Sequence, residues 1–151
     1  MRTVLVSIEN EALRAIVAHV LASAPAWRVR SFEDLAAVRA YMRIVPTDML
    51  VCDRIEDDAV TGFVAGLRAD PGIENPGFSA IGLARRIDQR LKIETRLAGI
   101  SEVVVLPVSP RHILERVRVH LDRLPPAPDR DIRIAARPRF SGNVVELFPG
   151  R

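Results

Sequence analysis

Met49-Leu-Val-Cys-Asp53 is a four-residue apolar run closed by an aspartate, with Pro46 shortly before it and the acidic stretch Arg54-Ile-Glu-Asp-Asp58 behind it. A run this short with no polar face suits a strand buried on both sides of a sheet. The same kind of segment recurs outward in both directions. Towards the N-terminus, Phe32 to Met42 places Leu35, Val38 and Met42 on one helical face, and Trp27 to Ser31 alternates like a half-exposed strand. Pro25 divides that strand from a helix in which Leu13, Ile16, Val17, Val20 and Leu21 recur to about Ser23, with Asn10 as its cap. Thr3 to Ile8 is the first strand. Towards the C-terminus, Val60 to Leu67 predicts a short helix that Gly62 opens, and Pro71, Gly72, Pro76 and Gly77 predict a loop. Phe78 to Ala84 is a fourth strand. Ile87 to Ala98 is a helix closed by Gly99, and Glu102 to Leu106 is a fifth strand. Ser109-Pro110 supplies a cap and a first-turn proline for a helix to about Leu124.

Five strands alternating with five helices predict an α/β domain over residues 1–124, a doubly wound parallel five-stranded sheet covered on both faces. Pro125, Pro126 and Pro128 end the pattern. Residues 125–151 are a C-terminal extension carrying Arg130, Arg133, Arg137 and Arg139 close together, with Phe140 beside them. The extension holds five arginines against Asp129, Asp131 and Glu146, and its Val144-Val-Glu-Leu-Phe148 is apolar enough to dock on the domain, a second copy or a partner.

A chain of 151 residues fits one such domain. Hydrophobic residues make up 48% and charged residues 27%, an ordinary globular balance. No apolar run approaches the ~20 residues of a membrane helix. Glu9, Asn10 and Glu11 interrupt the only apolar stretch near the start, so no signal peptide is read there. The lone Cys52 excludes an internal disulfide and suits a cytoplasmic protein. The net charge is +3, and Lys92 is the one lysine among 22 basic residues. A site that requires lysine therefore has a single residue to draw on.

In a sheet of this kind ligands sit where the strands end, which directs attention to the residues after Ile8, Asp53, Ala84 and Leu106. Asp53 after the third strand and Leu106-Pro107 after the fifth, in this order of elements, resemble the CheY-like receiver domains of bacterial response regulators. The resemblance covers residues 2 to about 122 and implies a flavodoxin-like (βα)5 fold and a role in two-component signalling. It makes Asp53 the match to the phosphoacceptor. The two acidic magnesium-binding positions fall on Ile8 and Glu9, the hydroxyl position on Ala84, the lysine position on Leu106, and the aromatic switch position on Val103. Glu9 and Asp53 alone would hold magnesium weakly, because the ion wants near-octahedral oxygen ligation. Leu106 carries no cation and Ala84 no hydroxyl for a phosphoryl group. Arg54 could lend charge, and Asp57 or Asp58 a carboxylate.

The expectation is a degenerate receiver, a pseudo-receiver, acting as an atypical single-domain response regulator: a non-enzymatic adaptor working through protein contacts rather than a phosphorylation switch. Its partner would be a signalling protein (a kinase, a flagellar or a regulatory protein) or a second copy. The resemblance places the partner face on the fourth helix, fifth strand and fifth helix, here Arg86, Arg90, Val103, Arg111 and Arg118, within a set that also holds Arg85, Lys92, Arg96 and Arg116. Two alternatives stay open. The arginine-bearing extension is similar to that of CheY-like effectors that bind cyclic di-GMP, which would make Arg130, Arg133, Arg137, Arg139 and Phe140 a nucleotide site, since guanidinium groups pair with phosphates and stack on bases. Asp53 could also be a working phosphoacceptor.

Other chemistries lack their residues. His19, His112 and His120 show no metal-ligand spacing with Cys52, no glycine-rich phosphate loop follows a strand, and Ser7 and Ser109 lie in no nucleophile elbow. No DNA-reading module follows the domain.

Overall fold

The computed structural model describes residues 1–125. Among them, β1 (Arg2–Ser7), β2 (Trp27–Phe32), β3 (Met49–Cys52), β4 (Ser79–Ala84) and β5 (Glu102–Val105) alternate with α1 (Glu11–Ala22), α2 (Leu35–Met42), α3 (Asp58–Ala69), α4 (Gln89–Ala98) and α5 (Pro110–Arg123). The strands form one parallel sheet in the order β2-β1-β3-β4-β5. This is the flavodoxin-like, doubly wound α/β architecture expected from the pattern.

Alternation along the central strands divides the core in two. Val4 and Val6 of β1 point to the face covered by α1 and α5, where they meet Val17, Leu21, Ile113, Val117 and Leu121. Leu5 and Leu50 point the other way, to Val38 and Met42 of α2 and Leu67 of α3. Each of these side chains is fully or almost fully buried, contributing roughly 1.5–3 kcal/mol of transfer free energy apiece.

The helix ends show where side-chain caps move the boundaries. Asn10 Oδ1 accepts the Leu13 N–H at 2.8 Å, Ser109 Oγ accepts the His112 N–H at 3.1 Å, and Gly99 ends α4 at φ 93°, all at the expected places. Elsewhere an aspartate overrides the apolar spacing. Asp34 caps α2 through the Ala37 N–H at 2.8 Å, so that helix begins at Leu35 and Phe32 finishes β2. Asp88 takes the Leu91 N–H at 2.8 Å, so α4 begins at Gln89 and Ile87 is left to pack beneath it. Asp57 takes the Ala59 N–H at 2.9 Å; α3 runs Asp58–Ala69, and Gly62 lies inside that helix instead of opening it. A carboxylate cap is typically worth ~1 kcal/mol, enough to choose between adjacent starts.

Two arginines tie the ends of the sheet to the helices. Arg68 of α3 donates to the carbonyls of Phe78, Pro76 (3.0 Å) and Gly99 (2.6 Å) and lies 3.8 Å over the Phe78 ring. Arg2 donates to the carbonyls of Leu121 (2.7 Å) and Leu124 (2.8 Å), closing the end of α5.

The loop after β3 is drawn down onto the sheet by one side chain. Ile55 is fully buried, and its backbone N–H reaches the Leu83 carbonyl at 3.4 Å. Its side chain rests on Gly82 of β4, where an added Cβ would lie 2.6 Å from Ile55 Cγ2 and 2.8 Å from Cδ1. Gly82→Ala should therefore destabilise the domain by about 1–3 kcal/mol through overpacking. Urea unfolding of Gly82→Ala, Ile55→Ala and the double variant checks this. The double variant should lose less than the sum of the singles, and strict additivity would mean that the two residues do not press on each other.

Candidate functional site

β1 and β3 are neighbours, but α1 follows β1 onto one face and α3 follows β3 onto the other. A crevice opens where the chain parts in this way. It contains a cavity of about 510 Å3 lined in part by Glu9, Asp53, Arg54, Glu56, Arg85 and Leu106.

Asp53 is half-buried just past the end of β3. Its backbone N–H donates to the Ser7 carbonyl at 3.3 Å, and its Oδ2 accepts the Glu9 N–H at 3.0 Å. Burial pushes the Asp53 carboxyl above its ordinary range, and the nearby Glu9 charge adds to the effect; the Glu9 N–H and Arg54 oppose it. Beneath it, burial and the Asp53 charge push the Cys52 thiol up to about 12, which leaves the thiol neutral and unreactive.

Arg54 is a non-glycine residue at φ 54°. That left-handed turn sends Ile55 inward while the Arg54 guanidinium reaches Glu9 at 3.3 Å and Asp57 at 3.7 Å. The Arg54 and Glu9 side chains are 50% and 67% exposed. A pair this wet is typically worth ~0–1 kcal/mol, so it places charge without locking it.

The positions that the receiver resemblance makes functional are apolar and packed. Ile8 is 1% exposed and belongs to the core between the sheet, α1 and α5, with Leu106 packed against the same cluster. Ala84 sits with Cys52, Ile55, Leu91 and Ile100, and Val103 and Ile87 pack against that group. Ile8 thus belongs to the core. Leu106 lies just beyond β5, which ends at Val105, and its N–H still reaches the Ala84 carbonyl at 2.7 Å.

The fit for magnesium is poor. Of the two candidate ligands, Asp53 accepts a backbone N–H and the Glu9 carboxylate is paired with Arg54. Among the described residues no group of three or more His, Cys, Asp or Glu is placed to hold a metal ion. Asp57 is bridged to Arg54 at 3.7 Å and Glu56 accepts the Arg85 N–H, so neither completes the oxygen-rich octahedral set that magnesium demands.

The residues expected on a partner face are spread over three places. Val103 lines a groove of about 210 Å3 between α4 and β5 together with Lys92, Arg96 and Glu102. Arg86 and Arg90 instead line a separate cavity of about 190 Å3 with Glu56 and Asp88, and Arg90 is bridged to Glu94 at 2.8 Å. Arg111 is exposed on the first turn of α5, and Arg118 lies 5.7 Å from the Trp27 ring, towards β2. The basic residues that share the groove with Val103 are Lys92 and Arg96, one helical turn apart.

Two features were not visible as sites in the sequence. Glu102 of β5 accepts a forked pair of bonds from Arg116 (2.8–3.0 Å) and one from His120 at 2.6 Å. Burial opposes the Glu102 charge, but the bonds from Arg116 and His120 outweigh it and hold the carboxyl below its ordinary value. The second is Glu56, whose Oε2 accepts the backbone N–H groups of Arg85 and Arg86 on the loop between β4 and α4. Residues Arg130, Arg133, Arg137, Arg139 and Phe140 lie outside the described residues.

No family model and no curated protein sequence matches the chain. Solved structures do. A response regulator from Thermotoga maritima superposes with a TM-score of 0.69 at 19% identity, covering 81% of this chain and 98% of that one. The chemotaxis protein CheY4 of Vibrio cholerae gives 0.68 at 18% identity, covering 79% and 98%. The fold is that of a response-regulator receiver domain. A putative pilus assembly-related protein from Burkholderia pseudomallei shares this receiver fold as well, with a TM-score of 0.69 at 18% identity over 84% of this chain and 94% of that one. Identities this low carry the fold and leave function to the residues.

Because the Asp53 pKa is raised in the folded state, the folded protein binds the proton more tightly than the unfolded chain. Stability therefore falls as pH rises from the unfolded value near 3.8 through the folded one, and the ionised carboxylate is a net burden at neutral pH. Asp53→Asn should raise the urea midpoint at pH 7, and the gain should shrink towards zero as both curves are followed below pH 3.8. A variant less stable at pH 7 would show that the carboxylate stabilises the fold.

Proposed function

We propose that this chain is an atypical response regulator of the pseudo-receiver kind, a non-enzymatic signalling adaptor that acts through protein contacts and is not switched by phosphate on Asp53. The observation that carries the reading is the packing of Ile8, Ala84, Val103 and Leu106 in apolar clusters, where the receiver resemblance would put a carboxylate, a hydroxyl, an aromatic ring and a lysine. Phosphoryl transfer to a carboxylate needs cations on the transferring oxygens and a metal to neutralise developing charge. Here Arg54 is the nearest cation, already shared between Glu9 and Asp57.

The surface favours contacts at α4 and β5. Leu97 is 82% exposed, with Ile93 and Val105 about half exposed, and Lys92 and Arg96 lie along the neighbouring groove. Apolar side chains beside two cations suit a partner segment with an apolar stripe and acidic flanks, the charges speeding the encounter and the apolar residues holding it.

Incubation with acetyl phosphate and magnesium, followed by intact-mass measurement, tests the switch. No phosphoryl adduct is expected. A stoichiometric adduct that disappears in Asp53→Asn would make this a working phosphoacceptor and overturn the reading.

The cyclic di-GMP reading rests on the arginines of the extension, which lie outside the described residues. Calorimetric titration of cyclic di-GMP into the full chain should give no binding heat. Micromolar binding that is lost when Arg130, Arg133, Arg137 and Arg139 are replaced by alanine would establish a ligand receptor instead.

A further inference from the structure

The loop that follows β4 holds an anion, and the anion is part of the chain. Glu56 Oε2 accepts the backbone N–H of Arg85 at 2.5 Å and lies 3.4 Å from that of Arg86. Two successive backbone N–H groups converging on one oxygen form an oxyanion nest. Charge-assisted bonds from backbone amides to a carboxylate are roughly twice as strong as neutral ones.

The carboxylate is delivered there by the packing already described. The left-handed turn at Arg54 and the burial of Ile55 on Gly82 fix the loop from below, so that the next side chain projects across to β4 and α4. Glu56 then borders both the Asp53 cavity and the smaller one beside α4. Both signs of charge surround it: Arg54 and Arg85 line the first cavity with Glu9, Asp53 and Asp57, and Arg86 and Arg90 the second with Asp88 and Glu94. Arg54 and Arg90 are occupied by acidic partners, whereas Arg85 and Arg86 make no ion pair among the described residues. The exposed Arg85 and Arg86 guanidinium groups adjoin the two amides, so an oxyanion held there has cations within reach to pair with.

We propose that Glu56 is a built-in ligand of this nest, a carboxylate holding the place that a tetrahedral oxyanion such as inorganic phosphate would otherwise take, and that it keeps the β4–α4 loop in its anion-bound arrangement. The inference deepens the pseudo-receiver reading and rests on it for its purpose: a loop held by its own carboxylate has no need of a phosphoryl group on Asp53.

Amide exchange and chemical shifts in the 15N-labelled full chain test it. In the unaltered protein the Arg85 amide should be protected and shifted downfield. Glu56→Ala should accelerate its exchange roughly tenfold or more, the loss expected for a hydrogen bond to a charged group. Glu56→Gln, which keeps a neutral acceptor of the same length, should fall between the two. Titration with inorganic phosphate should then move the Arg85 and Arg86 amide signals of Glu56→Ala and leave those of the unaltered chain in place. Unchanged Arg85 exchange in Glu56→Ala overturns the proposal, as do phosphate shifts that are absent from the variant or equal in both proteins. The acetyl phosphate measurement separates this from the wider reading. An adduct on Asp53 would overturn the adaptor while leaving the exchange result standing, and unchanged exchange without an adduct would remove the Glu56 ligand alone.

Discussion

The contact of Ile55 with the bare Cα of Gly82 is the constraint on which the site depends. A strand buried on both faces ends abruptly, and the chain leaving it would ordinarily rise into solvent. Here the residue two places beyond Asp53 is fully apolar, so water drives it back onto the sheet. The space exists because β4 carries a glycine where any Cβ would collide with that side chain. To bring Ile55 inward the backbone must reverse at Arg54, which accounts for a non-glycine residue at φ 54°. Strain of this kind persists only where the surroundings over-determine it. The reversal also sets the directions of the two neighbours, Arg54 out towards Glu9 and Glu56 across towards Arg85.

The same packing suits hydrocarbons at the positions that the receiver resemblance makes functional. A lysine, a threonine or a second aspartate at the positions of Leu106, Ala84 and Ile8 would each need hydrogen-bond partners beside a packed core, and an unpaired group there costs about 1–3 kcal/mol. Apolar residues need only volume. Ala84 and Val103 join a cluster with Ile55 and Ile87, so four segments that could move independently share one contact surface. Asp53 is the polar residue left at the end of the strand, and burial acts against its charge. Functional sites commonly hold such locally unfavourable groups. In the structure Asp53 is part of the hydrogen bonding that joins the ends of β1 and β3, through the Glu9 N–H and the Ser7 carbonyl.

How much of this could be read from the chain depends on whether local or long-range contacts decide it. The strands were legible because burial on both faces leaves no polar residue within β3, and the outer helices because Asn10, Gly99 and Ser109 cap them as their side chains dictate. The boundaries that shifted did so at Asp34, Asp57 and Asp88, which also read as surface charges until the adjacent N–H groups are seen to need them. Asp53 and Glu9 could be paired from their places at strand ends. The Glu56 contact spans 29 residues and depends on where Ile55 lands, so spacing could not show it; the sequence hint was a single apolar residue in an acidic loop. The partner face was blurred for a related reason. Arginines that look alike along α4 and α5 point to different neighbours once the helices are docked, Arg90 to Glu94 and Arg118 to Trp27, while Lys92 and Arg96 share the groove with Val103.

A fold held this way changes what regulation can mean. When a partner binds one of two loop arrangements, its apparent affinity is reduced by the fraction of protein in the competent one. A phosphoryl group acts by raising that fraction. On the proposed reading, an apolar cluster and an internal carboxylate raise that fraction without a covalent signal. On that reading occupancy would follow the concentrations of the chain and its partner, together with whatever competes for the α4–β5 surface. Lys92 and Arg96 act there through exposed charge, which salt screens within about 8–10 Å. They would steer the encounter, and the exposed Leu97 and Val105 would set how long the complex lasts.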